Sequence, residues 1–110
     1  MLQEGQQMRV YISGRMTGLD SDEIVKKFSR SERYLVENGH SVLNPAVTMH
    51  LMNTSGFSYD HFLVIDFAML SVCDAIYMQK DWRDSNGARR ELEYAERRGL
   101  KVLYEEPAER

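Results

Sequence analysis

The chain is short of the residues that would staple it, anchor it or give it a polyanion-binding face. One cysteine in 110 residues excludes an internal disulfide. That residue, Cys73, lies in an apolar stretch and reads as a small buried side chain. No apolar run reaches the ~20 residues of a membrane span, and the N-terminus carries no signal-peptide pattern. A soluble, cytoplasmic protein with no membrane partner is therefore expected. Positive charge is scattered: 14 Lys and Arg against 17 Asp and Glu give a net charge of −3. The basic stripe that a nucleic-acid polymer would require is missing. No internal repeat or low-complexity tract is visible. His40, His50 and His61 fall at no metal-ligand spacing, so no metal site is expected. "GRMTG" (Gly14–Gly18) is neither a Walker loop nor a dinucleotide fingerprint.

What is present is an ordinary globular composition, 43% apolar, in a length that suits one domain with one core. The domain is expected over residues 8–104, between tails at 1–7 and 105–110. "MRVYIS" (Met8–Ser13) is a β-branched and aromatic run, a strand, and ends in the glycine-bounded loop Gly14–Gly18. A helix follows, capped by Asp20 or Ser21 and stopped by Gly39. Its Ile24, Val25, Phe28, Tyr34 and Leu35 recur at roughly helical spacing. "HSVLNP" is a second strand, cut off by Pro45, and residues 46–58 read as an irregular connection. Tyr59–Cys73 reads as a helix with a wide apolar face, Asp74–Met78 as a third strand and "QKDWRD" as a loop. Ser85–Arg98 is a third helix, and "KVLYE" is the last strand. Strands separated by helices imply an α/β fold with a parallel sheet, covered by helices on both faces. The expected architecture is a single flavodoxin-like domain with strand order 2-1-3-4 and three main helices. Ligands in such sheets bind beyond the carboxyl ends of the strands, at the switch point between strands 1 and 3. The loops there are Gly14–Gly18 and 79–86.

Several residues near those loops invite a functional reading, each with a plain structural alternative. Ser85 or Asn86 stands where a helix N-cap belongs, and Gly87 lets backbone approach a ligand. Free N–H groups at a helix start bind anions such as phosphate, but a serine there also serves as an ordinary cap. Glu91 follows Ala88 by three residues and precedes Ala95 by four. It falls on the edge of the seam that these alanines and Leu92 turn to the sheet, pointing toward the strand ends. A catalytic carboxylate is one account; a gain of roughly 0.3–1 kcal/mol from the helix dipole is the other. Asp66 is the only charge in "FLVIDFAML". Buried alone it would cost several kcal/mol, so it needs a partner, a pocket or a turn outward. Tyr11 is either plain core or a hydroxyl placed to bond a nearby carboxylate. Trp82, the only tryptophan, suits stacking on a base, a lid, or an interface anchor.

Taken together, "YISGRMTG" (Tyr11–Gly18), "LNPA" (Leu43–Ala46), "DFAMLSVCDAIYM" (Asp66–Met78) and "WRDSNGARRELEYA" (Trp82–Ala95) resemble the nucleoside 2-deoxyribosyltransferase superfamily. More narrowly they resemble a branch of small bacterial and phage proteins grouped under a domain of unknown function (DUF4406). The resemblance implies that Glu91 is a nucleophile for the anomeric carbon of a 2-deoxyribosyl group. It implies that Tyr11 orients that carboxylate, that Asp66 donates or relays a proton to the departing base, and that Gly14 lets the sugar or phosphate approach. Ser85-Asn86-Gly87, six residues ahead of the glutamate, fits the Ser-x-Gly-x-x-x-Glu pattern of relatives that hydrolyse deoxynucleoside 5′-monophosphates. The first loop lacks those hydrolases' serine and arginine, leaving Arg15 as the substitute positive charge. The chemistry calls for an ionised Glu91 and an Asp66 whose pKa is raised enough to hold a proton. The implied partner is a small nucleoside or nucleotide, with no metal or organic cofactor and with assembly as a homo-oligomer, a dimer or larger. The rival expectation is a catalytically inactive nucleotide-binding or sensor module, such as a phage accessory protein.

Overall fold

The strand-forming runs build a four-stranded, all-parallel sheet in the order β2-β1-β3-β4. Its strands are β1 (Arg9–Ser13), β2 (Ser41–Leu43), β3 (Ala75–Met78) and β4 (Lys101–Tyr104); between them lie α1 (Ser21–Glu37), α2 (Tyr59–Leu70) and α3 (Asn86–Arg97). The computed structural model describes residues 7–51, 56 and 58–105, with only the backbone for 49–51. The terminal tails, apart from Gln7 and Glu105, lie outside the described residues, as do Met52 and the side chains of Met49 and His50. No helix among the described residues is long and apolar enough to cross a membrane.

Strand alternation sorts the core into two layers. Val10, Ile12, Ala75 and Tyr77 face one side of the sheet and pack with Ile24, Phe28 and Leu35 of α1. Tyr11, Ile76 and Met78 face the other side, against Leu70 at the end of α2, Cys73 in the turn that follows it, and Ala88, Leu92 and Ala95 of α3. Both faces of the central strands are thus covered, as a parallel sheet requires. Each large apolar side chain so buried contributes roughly 1.5–3 kcal/mol. The register of β1 against β3 runs from Val10↔Ala75 to Ser13↔Met78, so these two strands end level with each other. The switch-point crevice opens above that shared end.

Local chemistry sets the helix starts. Asp20, not Ser21, caps α1: its Oδ1 accepts from the Glu23 N–H at 2.9 Å, and Glu23 Oε1 accepts from the Asp20 N–H at 3.1 Å. Ser58 caps α2, accepting from the His61 N–H at 3.3 Å, and Ser85 caps α3, accepting from the Ala88 N–H at 3.0 Å. Gly39, at φ 92°, takes up the left-handed conformation after α1.

Several boundaries differ from the sequence reading. The connection after β2 is not wholly irregular, since Pro45–Leu51 forms a 3-10 helix, and a short 3-10 turn spans Trp82–Asp84 within "QKDWRD". The second helix stops at Leu70, short of Cys73. There the Cys73 N–H turns back to the Leu70 carbonyl at 3.0 Å, which closes the turn into β3. In α1 the buried stripe is Ile24, Phe28, Ser31 and Leu35. Val25 and Tyr34 lie off it, 46% and 54% exposed. Ser31 takes an interior place because its Oγ accepts a 2.9 Å hydrogen bond from Gln79 Nε2 on the facing strand end.

Candidate functional site

The end of β1 decides the site. Tyr11 and Ser13 are two residues apart and point to the same face, toward α3. Glu91 projects from the second turn of α3 onto that face and is only 5% exposed. The Tyr11 hydroxyl donates to Glu91 Oε2 at 2.9 Å, and the Ser13 hydroxyl donates to Oε1 at 2.6 Å. Asp66, on α2, lines the same cavity and completes the cluster, acting on the titration of both Glu91 and Tyr11. The helix-dipole account of Glu91 fails on position. Glu91 is the sixth residue of α3, whose first turn contains no acid, and the dipole acts within the first turn.

These groups titrate abnormally for clear reasons. Burial pushes the Glu91 carboxyl well above its ordinary range, and the Asp66 carboxylate pushes it further; the Ser13 and Tyr11 hydroxyls pull it partly back. Asp66 is also raised by burial, but hydrogen bonds from Glu91 and Tyr11 lower it. The stronger upward push falls on Glu91. Both acids are thus pushed toward their protonated forms, Glu91 the more strongly because it lies the deeper. The Tyr11 hydroxyl, fully buried beside two acids, is raised well above its usual value and stays protonated as a donor.

The cluster forms the floor of a cavity of about 280 Å³, near the lower end of the ~300–1,000 Å³ usual for small-molecule sites. One wall is the first loop, with Gly14, Met16 and Thr17. Phe62 and Leu63 of α2 form another, and Ser85, Gly87 and Ala88 at the start of α3 close the rim. The cavity therefore joins two carboxylates to largely apolar walls, and no Lys or Arg among the described residues lines it. Nor do three His, Cys, Asp or Glu side chains come together as a metal ion would need, among the described residues.

Six of the nine anticipated site residues meet here: Glu91, Tyr11, Asp66, Gly14, Ser85 and Gly87. The other three do not line the cavity. Arg15 folds back on its own loop, with Nε donating to the Thr17 carbonyl at 3.0 Å and its backbone N–H to Asp81 Oδ1 at 3.2 Å. Asn86 is exposed and reaches only the rim, where its Nδ2 donates to the Tyr59 hydroxyl at 3.3 Å. Trp82 packs toward β4, its ring 6.4 Å from that of Tyr104 with Arg83 over it at 4.7 Å. Its place is dictated by the 3-10 turn, which directs it along the sheet edge. Ser13 escaped the sequence reading, although strand alternation put it on the face of Tyr11. Thr48, Ser58 and Tyr59, which also line the cavity, lay in or beside the stretch read as a structureless connection.

The opposite face of the same strand end carries a second polar network. Lys27 Nζ donates to Gln79 Oε1 at 2.7 Å and pairs with Asp81 at 3.1 Å. Gln79 lies so close to Gly14 that a Cβ there would stand 1.9 Å from its Oε1. Gly14 is thus a close-approach glycine that allows the first loop to seat over this network while lining the cavity.

A family profile matches residues 8–104, from the approach to β1 to the end of β4. The chain belongs to the DUF4406 family, described as a domain of unknown function. No match was found among curated proteins. The matched span of this DUF4406 domain includes every residue of the carboxylate cluster and both loops that frame the cavity.

Proposed function

We propose that this protein is a cytoplasmic enzyme that cleaves or transfers at the N-glycosidic bond of a nucleoside or its 5′-monophosphate, with Glu91 as the nucleophile. The observation that carries this reading is the hydroxyl-held Glu91 carboxyl facing Asp66 on the floor of an apolar cavity.

The chemistry follows from the geometry. Breaking a C1′–N bond builds positive charge at the sugar and negative charge on the base; a carboxylate at C1′ and an acid that reaches the base answer both. One proton on the pair provides the correct total: one acid and one carboxylate. Held on Asp66, it leaves Glu91 ionised and Asp66 armed as the acid. An oxygen of Glu91 then bonds to C1′ while the C1′–N pair leaves on the base nitrogen, which receives the proton from Asp66. Asp66, now ionised, takes a proton from an incoming water or acceptor base, which attacks C1′ and frees Glu91. Hydrolysis and transfer differ only in that second nucleophile. Met16, Phe28, Phe62 and Leu63 supply flat and apolar surface suited to a base. Ser85 and Gly87 at the rim suit the 5′ end of the sugar, since first-turn N–H groups of a helix are free to donate.

The test is a panel of 2′-deoxynucleosides, ribonucleosides and their 5′-monophosphates, followed for free base by chromatography, with and without an acceptor base. Base release by the native protein, lowered at least ~10³-fold by Glu91→Gln, supports the reading. Ligand binding without release, unaffected by that substitution, would leave a nucleotide-binding module instead.

A further inference from the structure

We propose that Ser13 is a positioning residue that pins Oε1 of Glu91 and so makes Oε2, the oxygen beside Tyr11, the one offered to the substrate. This rests on the proposed N-glycosidic reading and extends it to the choice of reacting atom. Ser13 and Tyr11 are both fully buried, but only Tyr11 also lines the cavity. The Ser13 hydroxyl therefore holds Glu91 from outside the cavity lining. The Ser13 contact, at 2.6 Å, is the shorter of the two and lies at the short end of the O–H···O range. Packing alone does not call for a hydroxyl here, because the same face carries Ile76, Met78, Ala88 and Leu92.

The consequence for the reaction is specific. When Oε2 bonds to C1′, Oε1 becomes the carbonyl oxygen of the glycosyl ester and keeps the Ser13 hydrogen bond. When the second nucleophile attacks C1′, the C1′–Oε2 pair returns to the carboxylate, and that hydrogen bond stabilises the departing charge. Ser13 thus assists regeneration of the free enzyme more than substrate binding. The groups facing Glu91 are Tyr11 and Ser13 from β1 and Asp66 from α2. Of these, the two hydroxyls favour its ionised form and Asp66 opposes it.

The experiment compares Ser13→Ala, Ser13→Cys and Ser13→Thr in the full chain by two readouts. The first is kinetic, with the nucleoside or nucleotide that the native protein cleaves. Ser13→Ala is expected to lower kcat roughly 10- to 100-fold with KM unchanged or lower, and to prolong the glycosyl-enzyme seen by mass spectrometry. Ser13→Thr, which keeps the hydroxyl, restores activity, and Ser13→Cys, a weak donor, falls between. The second is the titration of the Glu91 carboxyl by ¹³C NMR of glutamate-labelled protein, assigned by its loss in Glu91→Gln. It should move to higher pH in Ser13→Ala and return in Ser13→Thr. An unchanged titration in Ser13→Ala overturns the proposal, as does a loss of kcat matched by a rise in KM or left unrescued by threonine. If the native protein releases no base from any substrate, the N-glycosidic reading falls, while the titration still decides whether Ser13 holds Glu91.

Discussion

Glu91 is expected to cost the fold stability as pH rises, and replacing it with glutamine should return that stability while abolishing turnover. An unfolded glutamate titrates near ~4.3. In the folded protein, burial first and Asp66 second raise Glu91 well above this. Between those two values the native state holds a proton that the unfolded chain has released. The number of bound protons is then larger in the native state, and unfolding free energy falls with pH. The contribution is complete below the unfolded pKa and is lost as pH climbs through the folded one. The limiting slope for one proton is about 1.36 kcal/mol per pH unit. At ~4–8 °C per kcal/mol for a domain near this size, that amounts to about 5–11 °C in Tm per pH unit.

Glutamine mimics the protonated acid: its amide nitrogen can donate to Asp66 while its oxygen accepts from a hydroxyl of β1. The variant should match the native protein near pH 4.5 and pull ahead steadily above it. Burial raises Asp66 in both proteins, so the difference reports position 91 together with its coupling to Asp66. Urea unfolding of both proteins at half-unit steps from pH 4.5 to 8.5 measures it. A difference that stays flat with pH, or one that favours the native protein at high pH, would refute the account of Glu91 as a buried acid held in its protonated form.

Asp66→Asn removes the charge that raises Glu91, so the titration of the Glu91 carboxyl, followed by ¹³C NMR, should move to lower pH. Release of poor leaving bases should fall by about 10²–10⁴ through loss of the acid; an unmoved titration counts against interaction between the two carboxyls. Gly14→Ala should destabilise by about 1–3 kcal/mol, read as a lower urea midpoint, because its Cβ would collide with Gln79. Lys27→Met leaves Asp81 without its cation and should cost about 1–3 kcal/mol. That is less than the ~3–5 kcal/mol for a fully buried pair, because the Asp81 side chain keeps 28% exposure. The readout is Tm, and no loss would mean that the pair contributes nothing.

The layered architecture could be read from the order of elements because each strand run is short, β-branched and bounded by a helix of distinct period. Helix ends were less legible where apolar character continued past the turn, as at Ser71–Cys73. Glu91 stood out because it shares a helix seam with Ala88 and Ala95, and seam positions are decided by the 3.6-residue repeat alone. Ser13 left no such mark, since a serine at a strand end serves equally well as a cap, a turn former or a surface residue. Its role exists only once Glu91 is folded onto β1. Trp82 and Arg15 misled for the converse reason: both are long side chains on loops, where the backbone turn rather than the residue type decides direction.

The two polar networks at the strand ends show why one is structural and the other suits chemistry. On the α1 face, Asp81 meets a lysine, and although burial lowers that lysine's pKa, its pairing with Asp81 counters the shift. The charges there cancel, the network is satisfied, and no side of it needs a ligand. On the α3 face, burial raises two acids and a tyrosine, Asp66 pushes Glu91 further up, and no cation among the described cavity residues offsets them. A lysine at that floor would relax the cluster, fix both carboxyls as anions and remove the proton that the proposed reaction gives to the departing base. The site instead leaves its acids uncompensated within apolar walls, and the stability so forgone is what the pH dependence of Glu91→Gln measures.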